Sequence, residues 1–219
     1  LYEKRLLTYP RTDSSFLTDD MGGTAADIIA LLCEKLPFMA GADFTPEIAK
    51  VLDSKKVSDH HAIIPTMELA KADPDALPES EKNILTLAGA RLLFATAEPH
   101  IYEAVTAVFT CGGYTFTAKG RTTLCEGWRE IERLSRAASG EQDEDAEPEA
   151  VLPPLAEGQT FDNPAAEISE RYTQPPKAFT EDTLLSAMES AGKEDTPEDA
   201  ERKGLGTTAT RAGIIEKLI

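Results

Sequence analysis

Between residues 19 and 40, Ile28, Ile29, Leu31, Leu32, Leu36 and several alanines recur at helical spacing, which predicts a helix. Thr18 is placed to cap it, and Asp19 and Asp20 suit a first turn whose free amides attract negative charge. A second helix is predicted after Pro78, where Ile84, Leu85, Leu87, Ala88, Arg91, Leu92 and Phe94 repeat every three to four residues until Pro99. From about residue 100 the texture changes. Ile101 to Phe116 is rich in Val, Thr, Tyr and Phe and is interrupted by Cys111-Gly112-Gly113, the pattern of a β-hairpin. Val151 to Leu155, Gly158 to Phe161 and Ala165 to Tyr172 read as further strands. Past Pro175-Pro176 the helical spacing returns. Thr180 can cap a helix with Glu181 and Asp182 in its first turn and Leu184, Leu185 and Met188 on its apolar face. A polar loop, Gly192 to Lys203, then leads through Gly204-Leu205-Gly206 to a stripe of Ile214, Ile215 and Leu218. The pattern is that of an α+β chain without internal repeats.

A hydrophobic content of 41% in 219 residues allows one large domain or two small ones with a sizeable core. No apolar run approaches the ~18 residues of a membrane span. The start, Leu1-Tyr2-Glu3-Lys4-Arg5, has neither a signal-peptide pattern nor an initiating Met, and the end falls within a helical stripe. A cytoplasmic segment of something longer is the expectation. Cys33, Cys111 and Cys125 form no CxxC pair and read as reduced fillers rather than a disulfide framework or zinc site. The net charge of −17 argues at first against nucleic acid, because DNA binding draws on Lys and Arg to neutralise phosphates. Six of the acids, however, lie in the stretch 139–150, leaving −11 for the rest. That stretch reads as a solvated loop, with an acidic interaction tail as the alternative.

Three stretches could carry chemistry. In Thr8-Tyr9-Pro10-Arg11-Thr12-Asp13-Ser14, Pro10 biases Tyr9 toward an extended backbone beside a guanidinium and several hydroxyls. A phenol, titrating near ~10, is a poor nucleophile at neutral pH, but a nearby Arg favours the phenolate and stabilises charge building on a phosphate. The alternative is a plain turn in which Arg11 pairs with Asp13. In Ser58-Asp59-His60-His61-Ala62-Ile63-Ile64-Pro65-Thr66, adjacent histidines on extended backbone point to opposite faces. One of them could bond a phosphate oxygen or move a proton, or could simply occupy a polar turn. Gly204-Leu205-Gly206-Thr207-Thr208-Ala209-Thr210-Arg211 could offer free amides and hydroxyls to an anion at a helix start, or be an ordinary glycine turn with a Thr cap. It lacks the Gly-Lys-Ser/Thr ending of a P-loop.

In this order the three stretches resemble a single family. Leu1-Tyr2-Glu3 through Ser14 is similar to the active-site tyrosine motif of type IA DNA topoisomerases, in the form of the topoisomerase III-like branch. His60-His61-Ala62-Ile63-Ile64-Pro65-Thr66 resembles that family's downstream histidine motif. Gln174-Pro175-Pro176-Lys177-Ala178-Phe179-Thr180 through Arg211 resembles its later motif, and Gly127-Trp128 also matches. The resemblance implies transient cleavage of one DNA strand. Tyr9 would hold the 5′ phosphate as a phosphotyrosine, another strand would pass, and the 3′ hydroxyl would reseal the break without ATP. Arg11 would position Tyr9 and the phosphate; His60, rather than His61, would contact DNA, as would Thr210 and Arg211. It further implies a mostly helical tyrosine-bearing domain over 1–99, a β-rich hinge over 100–172 carrying the acidic loop 139–150, and the start of a helical DNA-groove domain over 173–219.

The same resemblance places the Mg²⁺-holding acids, a general acid/base glutamate and a catalytic lysine in an N-terminal toprim domain that this segment does not include. Asp13, Asp19 and Asp20 are too sparse to replace them. The segment by itself is therefore expected to be inactive, with single-stranded DNA and the toprim domain as its partners. Tyrosine recombinases, which need several converging arginines and histidines, and relaxases, which need a three-histidine metal cluster, are not matched by His60, His61 and His100. A catalytically silent single-strand-binding or interaction module that keeps the fold is the other reading.

Overall fold

The computed structural model describes residues 1–140, 150–162, 165, 167–192 and 204–218. They fall into two compact units, Leu1–Gln159 and Thr160–Ile219. The acidic run 141–149 and most of the polar loop before Gly204 lie outside the described residues. Among the described residues no helix is long and apolar enough to cross a membrane.

Two helices, α1 (Gly22–Lys35) and α2 (Glu79–Thr96), build the core of the first unit. Ile28, Ile29, Leu31 and Leu32 of α1 and Leu85, Ala90, Leu92 and Leu93 of α2 are buried, and the apolar spacing in the sequence is the cause. Gly89 lets the two approach: a Cβ there would stand 2.8 Å from Leu32 Cδ2. The span expected to run from 19 to 40 is shorter. It opens with a separate 3-10 turn, Asp19–Met21, and Thr18 makes no side-chain cap. It stops at Lys35 because Leu36 precedes Pro37 and takes an extended backbone. All three cysteines are free, and burial pushes the Cys33 thiol up from its ordinary value.

Strands β1 (Ile101–Cys111) and β2 (Tyr114–Cys125) form the expected hairpin, longer than the sequence indicated. Gly112 and Gly113 have φ of +57° and +85°, the pair of left-handed residues a two-residue turn needs, and Cys111 faces Tyr114 across it. Among the described residues no third strand joins the hairpin. The stretches Val151–Leu155, Gly158–Phe161 and Ala165–Tyr172, expected as strands, are irregular wherever described. Pro153 and Pro154 have no N–H to give a ladder, and only Arg121 N–H to Ala150 O at 2.9 Å ties the first of them to β2. Ile168, at 98% exposure, has no sheet to face.

An unexpected helix, α3 (Trp128–Ser139), follows the hairpin and packs on α2 and on the turn Pro37–Met39. Its start depends on Gly127, at φ +53°, which fits against Pro99 and lets Trp128 N–H reach Glu98 O at 2.9 Å. In the second unit, α4 (Glu181–Ser190) begins as expected at Thr180, whose hydroxyl accepts from Thr183 N–H at 3.2 Å. The short helix α5 (Arg211–Ile215) packs on it.

The segment 6–17 has little regular structure and is fixed at both ends. Leu7 bridges Pro65 antiparallel, with Thr8 N–H to Ile64 O at 3.0 Å and Thr66 N–H to Leu6 O at 3.1 Å. The Thr8 hydroxyl donates to Ala62 O at 3.2 Å and accepts from Ile64 N–H at 3.0 Å. At the other end Leu17 bridges Leu52, and Ala62 N–H donates to Phe16 O at 2.9 Å. Buried Leu6, Leu7, Leu17 and Ile64 anchor the ties in the core.

Two substitutions test these joints by urea denaturation. Thr8→Val keeps the shape but strands the Ile64 N–H, and is expected to cost about 1–3 kcal/mol, with Thr8→Ser near wild type. Gly127→Ala forces a left-handed alanine whose Cβ would lie 2.4 Å from Pro99 O, and is expected to cost more than about 2 kcal/mol.

Candidate tyrosine site and nucleic-acid interface

Tyr9 sits in the loop between those two ties, directly ahead of Pro10 and half-buried. Hydroxyl groups staple the facing loop to it. Thr12 Oγ1 donates to His60 O at 2.8 Å and accepts from Ser14 N–H at 3.1 Å. Ser14 Oγ donates to Lys56 O at 2.8 Å, and Ser58 Oγ donates to Asp13 Oδ1 at 3.2 Å. The result is that the His60 ring lies against Tyr9, centroids 4.4 Å apart and planes inclined at 44°. A second ring, Tyr2, meets Tyr9 edge-on at 5.4 Å and 77°. His61 turns away. Its Nδ1 pairs with Ala62 O at 2.8 Å.

Arg11 is exposed, and no carboxylate of the described residues pairs with it. The turn in which Arg11 would pair with Asp13 does not form, because Ser58 takes the Asp13 carboxylate instead. Lys56 lies over the Phe16 ring at 4.1 Å and pairs with Asp53 at 3.3 Å. A phenol with a neighbouring imidazole and an outward guanidinium two residues on can receive a phosphodiester: the cation meets the phosphate oxygens while the phenol oxygen meets phosphorus. Among the described residues no group of three or more His, Cys, Asp or Glu is placed to hold a metal ion.

Thr210 and Arg211 belong to the second unit. Arg211 is only 8% exposed. Its Nη1 donates to Glu189 Oε1 at 2.8 Å, its Nε to Leu205 O at 3.0 Å and its Nη2 to Gly206 O at 3.4 Å. Expected at a phosphate, it instead has the glycine loop wrapped around it. Gly204, at φ +62°, allows that wrap: a Cβ would stand 2.5 Å from Met188 O. Three of the amides in the stretch are used within the turn. Thr210 N–H and Arg211 N–H both donate to Thr207 O at 3.0 Å, and Thr207 N–H donates to Thr210 Oγ1 at 2.9 Å. Thr210 remains exposed.

Sequence reasoning thus named Tyr9, Arg11 and His60 but missed the residues that assemble them, namely Tyr2, Thr12, Ser14 and Ser58. The hydroxyls of Thr8, Thr12 and Ser14, close together in one short stretch, were the available signal, since irregular backbone needs side-chain partners.

A family model described as DNA topoisomerase matches residues 1–219. The DNA topoisomerase 3 of Bacillus licheniformis is 38% identical over 237 residues, covering 100% of this chain and 31% of that protein. That of Vibrio cholerae is 37% identical over 227 residues, covering 100% of the chain and 34% of the relative. The chain thus spans about a third of the length of these curated relatives. Among solved structures, full-length topoisomerase I from Thermotoga maritima superposes with a TM-score of 0.59 over 98% of this chain and 30% of its own, at 22% identity, a likeness of fold. Matched by the family model from its first residue to its last, the chain belongs to the DNA topoisomerases, as a type IA, topoisomerase III-like member.

Proposed function

We propose that this chain is the tyrosine-bearing segment of an enzyme that opens and reseals one DNA strand. The observation that carries the reading is the Tyr9 ring held against His60 with the unpaired Arg11 guanidinium two residues away. Tyr9 Oη attacks the scissile phosphorus, the bond from phosphorus to the 3′ oxygen breaks, and the phenol proton is exchanged for one delivered to the departing 3′ oxygen. A 5′-phosphotyrosine and a free 3′ hydroxyl result. One phosphodiester replaces another, so the reverse attack needs no ATP. Arg11 stabilises the charge on the phosphoryl oxygens in both directions. His60 and Thr210 contact the DNA strand. Arg211 positions the Thr207–Thr210 turn instead of touching phosphate, consistent with its burial against Glu189.

The reading assigns proton transfer and Mg²⁺ binding to a toprim domain outside these residues. The reading places the complete enzyme in the cytoplasm on single-stranded DNA. Its division is tyrosine domain 1–99, hinge 100–172 and groove domain from 173, with the hairpin as part of the hinge. The second reading is a silent single-strand-binding module that keeps the fold.

With the toprim-containing enzyme and Mg²⁺, a labelled single strand is expected to become covalently attached in wild type and not in Tyr9→Phe. Absence of an adduct in wild type favours the silent module. The 219 residues alone are expected to leave supercoiled plasmid unrelaxed, and to bind a single-stranded oligonucleotide weakly with a steep loss as salt rises, measured by fluorescence anisotropy. Arg211→Ala is expected to speed amide exchange in α4 and the glycine loop; a change confined to DNA affinity would return Arg211 to the phosphate.

A further inference from the structure

We propose that Tyr2 is a positioning residue for Tyr9, a second aromatic wall that restricts the phenol ring to the orientation facing His60; this deepens the reading of Tyr9 as nucleophile and rests on it. Tyr9 lies outside regular secondary structure, so neither a helix nor a strand limits its rotamers. Ring contacts must do so. His60 supplies one at 4.4 Å, and Tyr2 the other, edge-on at 5.4 Å and 77°, a favoured aromatic geometry.

Tyr2 is 50% exposed, and a side chain that open does not hold its place by core packing. Its backbone is held instead. Arg5 N–H donates to Tyr2 O at 2.8 Å and Leu6 N–H to Leu1 O at 2.9 Å, closing a tight turn. Arg5 takes φ +58° in that turn and is the only non-glycine residue with positive φ among those described. Thr66 Oγ1 donates to Arg5 O, and Lys4 pairs with Glu81 of α2. Leu6 and Leu7, both buried, fix the exit. A strained residue persists only where its surroundings over-determine it, and here the outcome of that strain is the approach of Tyr2 to Tyr9. The hydroxyl of Tyr2 is not needed for this; the ring is.

Loss of the wall should lower the fraction of Tyr9 poised for attack without changing DNA affinity. In the toprim-containing enzyme at saturating oligonucleotide, Tyr2→Leu and Tyr2→Met are expected to slow single-turnover cleavage about 10- to 100-fold, with Tyr2→Phe close to wild type and binding unchanged in all three. Wild-type cleavage rates in the Leu and Met variants would overturn the proposal, as would equal loss in Tyr2→Phe. A readout independent of activity accompanies it: the nuclear Overhauser effect between the Tyr9 and His60 rings in the 219-residue chain. That signal is expected to survive Tyr2→Phe and to weaken in Tyr2→Leu and Tyr2→Met. Its persistence in the ringless variants overturns the positioning role even if wild type forms no adduct, an outcome that would sink the nucleophile reading separately.

Discussion

The site depends on one joint: the pairing of Leu6, Leu7 and Thr8 with Ile64, Pro65 and Thr66. The chemistry-bearing loops on either side have no ladder of their own, yet their buried or half-buried amides must still be satisfied. The Thr8 hydroxyl meets that demand by bonding two groups of the opposite segment at once, Ala62 O and Ile64 N–H. With the joint in place, Thr12, Ser14 and Ser58 can close the two loops on each other like successive stitches, and each stitch is a side-chain to backbone or side-chain to carboxylate bond. The position of His60 over Tyr9 follows from them. Without the joint, nothing in the local sequence of either loop would bring a ring from one to the other.

The overall charge has to be read through the same geometry. A chain at −17 is repelled by DNA at long range, but net charge describes the solvated exterior, and screening confines it to about 8–10 Å at ordinary salt. At the tyrosine loop Asp13 is engaged by Ser58 and Asp53 by Lys56. Arg11 is left outward. A guanidinium whose nearest acid is engaged elsewhere is a better receptor for phosphate than a paired one, whatever the total charge.

What was legible in the sequence follows a physical rule. Elements with apolar residues at helical spacing, such as α2, or that need a particular turn residue, such as Gly112-Gly113, leave a local mark and were readable, although α2 buries Leu85, Leu92 and Leu93 and leaves Ile84 and Leu87 of the expected face exposed. Helix α3 left a narrower mark: Trp128, Ile131 and Leu134 recur every three residues among arginines and glutamates, and only Ile131 and Leu134 meet the core. The strands expected over 151–172 failed for the opposite reason. β-prone residues become a strand only when an edge receives them, and Pro153-Pro154 cannot give the donors. In the site, residue types were legible and partnerships were not. Ser58 reaching Asp13, or Thr12 reaching the carbonyl of His60, is decided by how distant segments pack, which no spacing within either segment records.

Arg11 and Arg211 show how burial divides a shared chemistry. Both stand in motifs that a phosphate could meet, and both carry the same fork of donors. Arg211 is enclosed, and its fork is filled by Glu189 and two loop carbonyls; removing those partners to reach a phosphate would leave a carboxylate and two carbonyls unpaired. Its charge therefore shapes the loop that presents Thr210. Arg11 has no such partners to lose among the described carboxylates, so binding a phosphate there costs only its hydration and side-chain freedom.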